Sequence, residues 1–326
     1  MLACGIKLSR GTLTYWVQNA IALIETIHFA QVSSILSSEV LAMDETPAKA
    51  GRKQAGKMNH AYFWPIHGDK DEVSFMFSMS RGAELIRTVL KDFCGTLISD
   101  GYTVYDSFTS KTDKITLAQC WVHARRKFIE AEKSEPQLVA EVLKRIQKLY
   151  EIEDIIYKKD LSGIEKLEYR VEHSKPVVDE YFIWLNAAFQ KNILLPSNPF
   201  TAAANYTLKR ESELRVFLFN PNVPLDANHL ERTLRPISMG RKNWLFCWTE
   251  LGARVVGMIQ SLLQTCKLHG VDPYTYLVDV LQRVDTHPTI DVDLLTPRLW
   301  KENFAKMPLR SDLDRERLEN IKNASG

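Results

Sequence analysis

Two short apolar runs in this chain each end in an aspartate: Val40–Met43 runs into Asp44, and Thr96–Ser99 runs into Asp100. Runs this short suit buried strands rather than helices. An acid that closes one is delivered to the edge of a sheet, where α/β folds collect their ligands. The surrounding pattern agrees. Ala61–Ile66 reads as a further strand, and Val73–Met79 alternates with period two, as a half-covered antiparallel strand does. Ala83–Phe93 then places Leu85, Ile86, Val89, Leu90 and Phe93 on one helical face, and a run from Leu117 to Val122 leads into a helix starting near His123. The expected class is α/β.

A third acid, Glu231, lies in Leu225–Pro236, a segment that reads as a helix between a cap at Asp226 and a stop at Pro236. Two strand-end aspartates and a helical glutamate supply the hard oxygen donors that Mg²⁺ prefers. Such a trio can hold two ions about 3.5–4 Å apart, the arrangement used for in-line phosphodiester cleavage. That chemistry points to nucleic acid. With 40 acidic residues in the chain, however, many triples can be drawn, and most such residues are solvated surface. Each member also has a rival. Asp226 competes with Glu231, although capping already explains it. Asp106 competes with Asp100 but fits the strand end less well. Glu45 stands beside Asp44, and alternation along a continuing strand turns it to the opposite face.

Net charge is only +2, so any DNA-binding surface has to come from local basic clusters. Arg125, Arg126 and Lys127 follow His123 near an expected helix start, where the helix dipole opposes cations. That placement suggests an outside phosphate, with a solvated basic face as the alternative. Arg235 follows Glu231 by one turn on the same face, where a guanidinium can grip phosphate or simply form a surface pair. Arg232 flanks the same acid. Arg241 and Lys242 precede Trp244, a ring suited either to stacking on an unpaired base or to burial.

Met43–Pro47 (MDETP), Cys120–Phe128 (CWVHARRKF), Arg235–Phe246 (RPISMGRKNWLF) and Lys267–Leu277 (KLHGVDPYTYL) occur in that order. Together they closely resemble the catalytic part of transposases of the insertion sequence 66 family, over about Leu8 to Trp300. The resemblance implies a ribonuclease-H-like mixed sheet, which three early strands, a crossover helix and a fourth strand ending in Asp100 also suit. It implies that Asp44, Asp100 and Glu231 form a DDE triad holding Mg²⁺, with Mn²⁺ as substitute. It further implies cleavage at the ends of a mobile element, followed by attack of the freed 3′-hydroxyl on target DNA. Element ends and target DNA are then the partners, with a homo-oligomer and accessory element-encoded proteins as further candidates. Two other readings stay open: a ribonuclease-H-like nuclease without strand transfer, and a DNA-binding or assembly remnant without activity. The resemblance begins so near Met1 that the coiled-coil and zinc-binding parts usual in this family are expected to be missing.

The expected organisation is N-terminal helices over 1–38, the first part of the core over 39–130, an all-helical insertion over 131–220, the catalytic helix and C-terminal helices over 221–300, and a charged tail over 301–326. Residues 8–38 hold one or two helices, with a faint helix-turn-helix signal at Ser9–Arg10 set against a plain core-packing helix. At 45% hydrophobic and 25% charged residues, the chain has no disorder signature. Five scattered cysteines without a Cys-x-x-Cys pair argue against a disulfide framework or zinc site and read as buried thiols. No run was expected to be long and apolar enough to cross a bilayer, and the N-terminus lacks a signal-peptide pattern, so the expected location is cytoplasmic.

Overall fold

The computed structural model describes residues 8–191, 194–228, 233, 235, 237, 239–240, 247–312 and 314. The described residues form a mixed α/β fold with six strands and many helices. It divides into two compact units, each assembled from separated stretches of sequence: Ser38–Asp44 with Gly82–Arg232, and Met1–Ser37 with Glu45–Arg81 and Thr233–Gly326.

The first of these units contains the parallel strands β1 (Val40–Met43), β5 (Gly95–Ser99) and β6 (Ile115–Gln119), with β5 between the other two. Gly95 is needed where β5 starts, since a Cβ there would lie 2.4 Å from the Glu39 carbonyl oxygen. From Trp121 to Leu218 every described element is helical, including α4 (Trp121–Glu130), α5 (Pro136–Lys158), α7 (Lys175–Lys191) and α8 (Pro199–Leu208). These helices pack around Trp121, whose ring meets Tyr181, Phe182 and Phe217 edge-on at 5.4, 6.2 and 6.4 Å. Its indole N–H donates to the Leu214 carbonyl at 2.9 Å, so the one polar atom of a fully buried ring is satisfied. On α5 the buried stripe is Val139, Val142, Ile146, Leu149 and Ile156, at helical spacing. A π-helical turn, Arg170–Ser174, precedes α7, and the buried Arg170 guanidinium is fully engaged there. It grips the Glu153 carboxylate with two bonds of 2.8 and 2.7 Å and donates to the carbonyls of Phe217, Val223 and Asn220.

The other unit contains the antiparallel strands β2 (Thr46–Gln54), β3 (Lys57–Gly68) and β4 (Val73–Ser78). Its long helices are α1 (Arg10–Leu36), α10 (Glu250–Leu268) and α11 (Pro273–Arg283). Among the described residues, β4 pairs only with β3, which leaves one edge bare of described strand partners. Side chains close that edge. The Phe75 N–H donates to Ser261 Oγ at 2.9 Å, the Val73 N–H donates to Thr265 Oγ1 at 3.2 Å, and Gln31 Nε2 donates to the Val73 carbonyl at 2.7 Å. Such proximity of helix and strand requires Gly257, where a Cβ would sit 2.4 Å from the Phe75 carbonyl oxygen.

Several expectations change. Strand β2 was not foreseen, because Thr46–Gln54 buries only small residues, Thr46, Ala48 and Ala50, without a large apolar side chain. Strand β6 stops at Gln119 and α4 begins at Trp121, so the apolar run to Val122 is split between a strand and the first helical turn. Residues 10–36 form one unbroken helix capped by Ser9, without the turn of a helix-turn-helix. That helix, with Arg10 and Glu25 as its only charges, is long and apolar enough by length and composition to cross a membrane. It buries Ile21, Ile24, Ile27 and Ile35 together with the polar His28 and Gln31, whose hydrogen bonds go to protein. Cys94 is exposed rather than buried, while Cys120, Cys247 and Cys266 are buried free thiols.

Candidate metal centre

Strands β1 and β5 run parallel with Val40 beside Thr96, Leu41 beside Leu97 and Ala42 beside Ile98. Continuing that register past Met43 and Ser99 sets Asp44 beside Asp100, both at the carboxyl edge. The apolar strands hold the two acids there, since Leu41, Ala42, Leu97 and Ile98 are all buried and paired in that register. Asp44, Glu45 and Asp100, all half-buried, offer carboxylate oxygens within 4.8 Å of one another. Like charges this close repel, and a divalent cation relieves the repulsion.

The Asp100 turn is stiff. Gly101 follows with φ +85°, in the left-handed region that favours glycine, and Asp100 Oδ1 accepts from the Tyr102 N–H at 2.9 Å. Asp106 lies in the first turn of α3 (Thr103–Thr109), outside the acidic group, with its carboxyl raised above the usual range by burial and pulled back by the nearby Arg210.

Glu45 is the residue that sequence reasoning turned away from the site. Alternation carries from Asp44 to Glu45 only if the strand continues, and β1 ends at Met43, leaving both residues between strands. Its carboxylate is also held by the Arg81 guanidinium, whose Nε donates at 2.9 Å. The sequence signal was the Asp-Glu pair itself, just after a strand too short to impose alternation.

Glu231, Arg232, Arg241, Lys242 and Trp244 lie outside the described residues. The approach to Glu231 is described. Cys120 begins where β6 ends and donates its N–H to the Ser99 carbonyl at 3.3 Å, directly beside Asp100. Its thiol, pushed up to about 11 chiefly by burial and so uncharged, accepts from the Ala227 N–H at 3.2 Å. The Trp121 N–H donates to the Leu225 carbonyl at 3.2 Å. Asp226 takes the capping role expected of it, accepting from the Asn228 N–H at 3.0 Å as the chain turns helical. The segment leading to Glu231 is thus fastened to the edge that carries Asp100.

The bases of α4 also sit near this edge. Trp121, Ala124 and Phe128 face inward while Arg125, Arg126 and Lys127 are exposed and His123 is half-buried. Because α4 begins at Trp121, Arg125 and Arg126 fall mid-helix and Lys127 in the last turn, all clear of the N-terminal end where the helix dipole opposes cations. No unfavourable placement at a helix start is left for an outside anion to offset. Lys127 pairs with Glu130 at 3.4 Å. Arg235 is exposed. Trp64 and Trp121 are fully buried core rings.

Residues 1–255 match the Transposase IS66 family, and residues 261–297 match the IS66 C-terminal element. Among similar proteins are three from Sinorhizobium fredii. The uncharacterized protein y4hP is 31% identical over 323 residues, covering 92% of this chain and 58% of y4hP. The uncharacterized proteins y4qI and y4jD are each 29% identical, covering 91% of this chain and 57% and 60% of their own lengths. The chain therefore spans about three-fifths of the length of the relatives it matches. On the strength of the family match over most of its length, the chain belongs to the IS66 transposase family.

Proposed function

We propose that this protein cuts DNA at the ends of a mobile element and joins the freed 3′-hydroxyl to target DNA, using a divalent-metal centre built on Asp44, Asp100 and Glu231. One observation carries the reading: two aspartates lie in register at the carboxyl edge of a parallel strand pair, with their oxygens within 4.8 Å of each other and of Glu45. A donor set made only of carboxylates fits Mg²⁺, and Mn²⁺ is the natural substitute. Bound there, the ions supply Lewis acidity for in-line displacement at phosphorus. Glu231 completes the set in this reading. The described chain that precedes it, Leu225 to Ala227, is fastened beside Ser99 through Cys120 and Trp121. Glu45 is a fourth acid at the same place, its charge partly taken by Arg81.

The strand order β1-β5-β6, with acids at its carboxyl edge and a helical stretch between Asp100 and Glu231, supports a ribonuclease-H-like core with a helical insertion. Arg125, Arg126 and Lys127 on α4, together with His123, Arg232, Arg235, Arg241, Lys242 and Trp244, are the proposed DNA contacts. The chain works where its DNA substrate lies, in the cytoplasm, as an oligomer with accessory element-encoded proteins. Because both displacements are made by oxygen nucleophiles on phosphorus, no covalent protein intermediate is needed.

The test is a nicking and strand-transfer assay on element-end DNA with Mg²⁺ or Mn²⁺, run on Asp44→Asn, Asp100→Asn and Glu231→Gln beside melting curves. Each swap removes charge but little volume, so the fold survives and both activities disappear. Wild-type activity in any one variant removes that residue from the centre. Cleavage without strand transfer in the parent protein leaves a nuclease in place of a transposase.

A further inference from the structure

Two carbonyls in succession, those of Asp100 and Gly101, are held by the C-terminal end of α8 and the turn that follows it. Tyr206 Oη donates to the Asp100 carbonyl at 2.6 Å, and the Arg210 guanidinium donates to the Gly101 carbonyl at 2.8 Å. Tyr206 stands in the last turn of α8 and Arg210 in the turn beyond it, and the two support each other, with the guanidinium 4.4 Å from the centre of the Tyr206 ring. Arg210 also reaches Asp106 at 3.4 Å, tying the turn to α3. Gly101 is enclosed on the remaining side: a Cβ there would lie 2.6 Å from Tyr206 Oη, 2.7 Å from Arg210 Nε and 3.0 Å from Gln119 Oε1. Gln119 in turn donates to Ser99 Oγ at 3.2 Å. The backbone on either side of the Asp100 carboxylate is therefore pinned from outside the strand that carries it.

We infer that Tyr206 and Arg210 are positioning residues for the metal centre, holding the Asp100–Gly101 turn so that the Asp100 carboxylate stays within reach of Asp44. This inference rests on the reading of Asp44 and Asp100 as metal ligands. Asp100 stands just past the end of β5, outside the ladder, and the glycine next to it adds conformational freedom. Without the clamp, the carboxylate would have to be ordered each time a cation binds, and that cost would appear directly as lost affinity. Partners that orient ligating groups typically contribute 10- to 100-fold in metal affinity. Burial pushes the Tyr206 phenol up to about 12, so its hydroxyl remains a donor at any working pH. The inference also gives the helical stretch a part in the chemistry, because the residues that fix the strand-borne aspartate come from it.

The experiment is a Mn²⁺ titration followed by electron paramagnetic resonance, on the full chain, with Tyr206→Phe, Tyr206→Phe/Arg210→Met and Asp100→Asn beside the parent protein. Tyr206→Phe removes one hydroxyl and keeps the ring beneath Arg210. The expected result is a several-fold weaker Mn²⁺ affinity in the single variant and roughly tenfold in the double. Melting temperatures in chelator should stay close to the parent's, and the cleavage rate at saturating Mn²⁺ should be largely recovered. A merely structural role would lower the melting temperature and leave the metal midpoint unmoved, which overturns the inference. So does unchanged Mn²⁺ affinity in both clamp variants while Asp100→Asn abolishes binding, and in that case the metal centre itself survives. If Asp100→Asn binds Mn²⁺ as tightly as the parent, the centre is misassigned and the clamp has nothing to position.

Discussion

His28 shows what burial does to a single titrating group. It lies inside its unit with its ring 3.1 Å from Ser74 Oγ, and desolvation lowers its pKa from 6.5 to about 4. The unfolded chain takes up this proton below about pH 6.5, while the folded chain resists until about 4. In between, the unfolded state binds more protons, so the stability is fully present above pH 6.5 and falls as pH drops through the window. The loss should reach about 3 kcal/mol by pH 4. Urea midpoints between pH 7 and 5 should decline more steeply in the parent than in His28→Gln, and equal slopes would mean that another group titrates. At this scale the sequence was readable where chemistry and context agreed. Asp44 and Asp100 close apolar runs, and their positions follow from the runs. For Glu45 the alternation premise does not hold, because alternation is a property of a strand and β1 ends at Met43.

At the scale of elements, Arg170 and α4 invite measurement. Arg170 is wholly buried, and its charge is matched by Glu153 and three carbonyls. Arg170→Met should cost about 3–5 kcal/mol in urea unfolding, because it leaves a carboxylate without its partner. Removing both charges in Arg170→Met/Glu153→Met should recover part of that. A loss below about 1 kcal/mol in the single variant would show that water replaces the guanidinium freely. On α4, Arg125→Ala/Arg126→Ala/Lys127→Ala should weaken DNA binding and make the plot of log affinity against log salt shallower by roughly two to three units, if all three touch phosphate. An unchanged slope makes the helix a solvated basic face. The helices of 121–218 were legible as helices from charge pattern and apolar spacing. Strand β2 was not, since its inward residues are a threonine and two alanines, and its place is fixed by pairing with β3, which no local pattern announces.

For the molecule as a whole, the acidic group predicts a coupling between cation and stability. A ligand that binds only the folded chain stabilises it by about 2.7 kcal/mol at a hundredfold excess over its dissociation constant. Mn²⁺ should therefore raise the melting temperature, chelator should reverse the rise, and Asp44→Asn should abolish it. A rise of equal size in that variant would place the binding elsewhere. The division into units was not legible from composition, because each unit draws on separated stretches of chain and no linker marks the crossings.

The covered edge of β4 bears on how the chain is made. Ser261 and Thr265, which close that edge, follow the strand residues they bond by 186 and 192 positions. At about 5–20 residues per second, the ribosome takes roughly 10 to 40 s to deliver them. Through that interval the nascent strand carries open N–H and C=O groups, the kind of surface on which neighbouring polypeptides add strands. Full-length chains should thus be well behaved, whereas chains stalled before Gly257 should collect in the insoluble fraction or on chaperones.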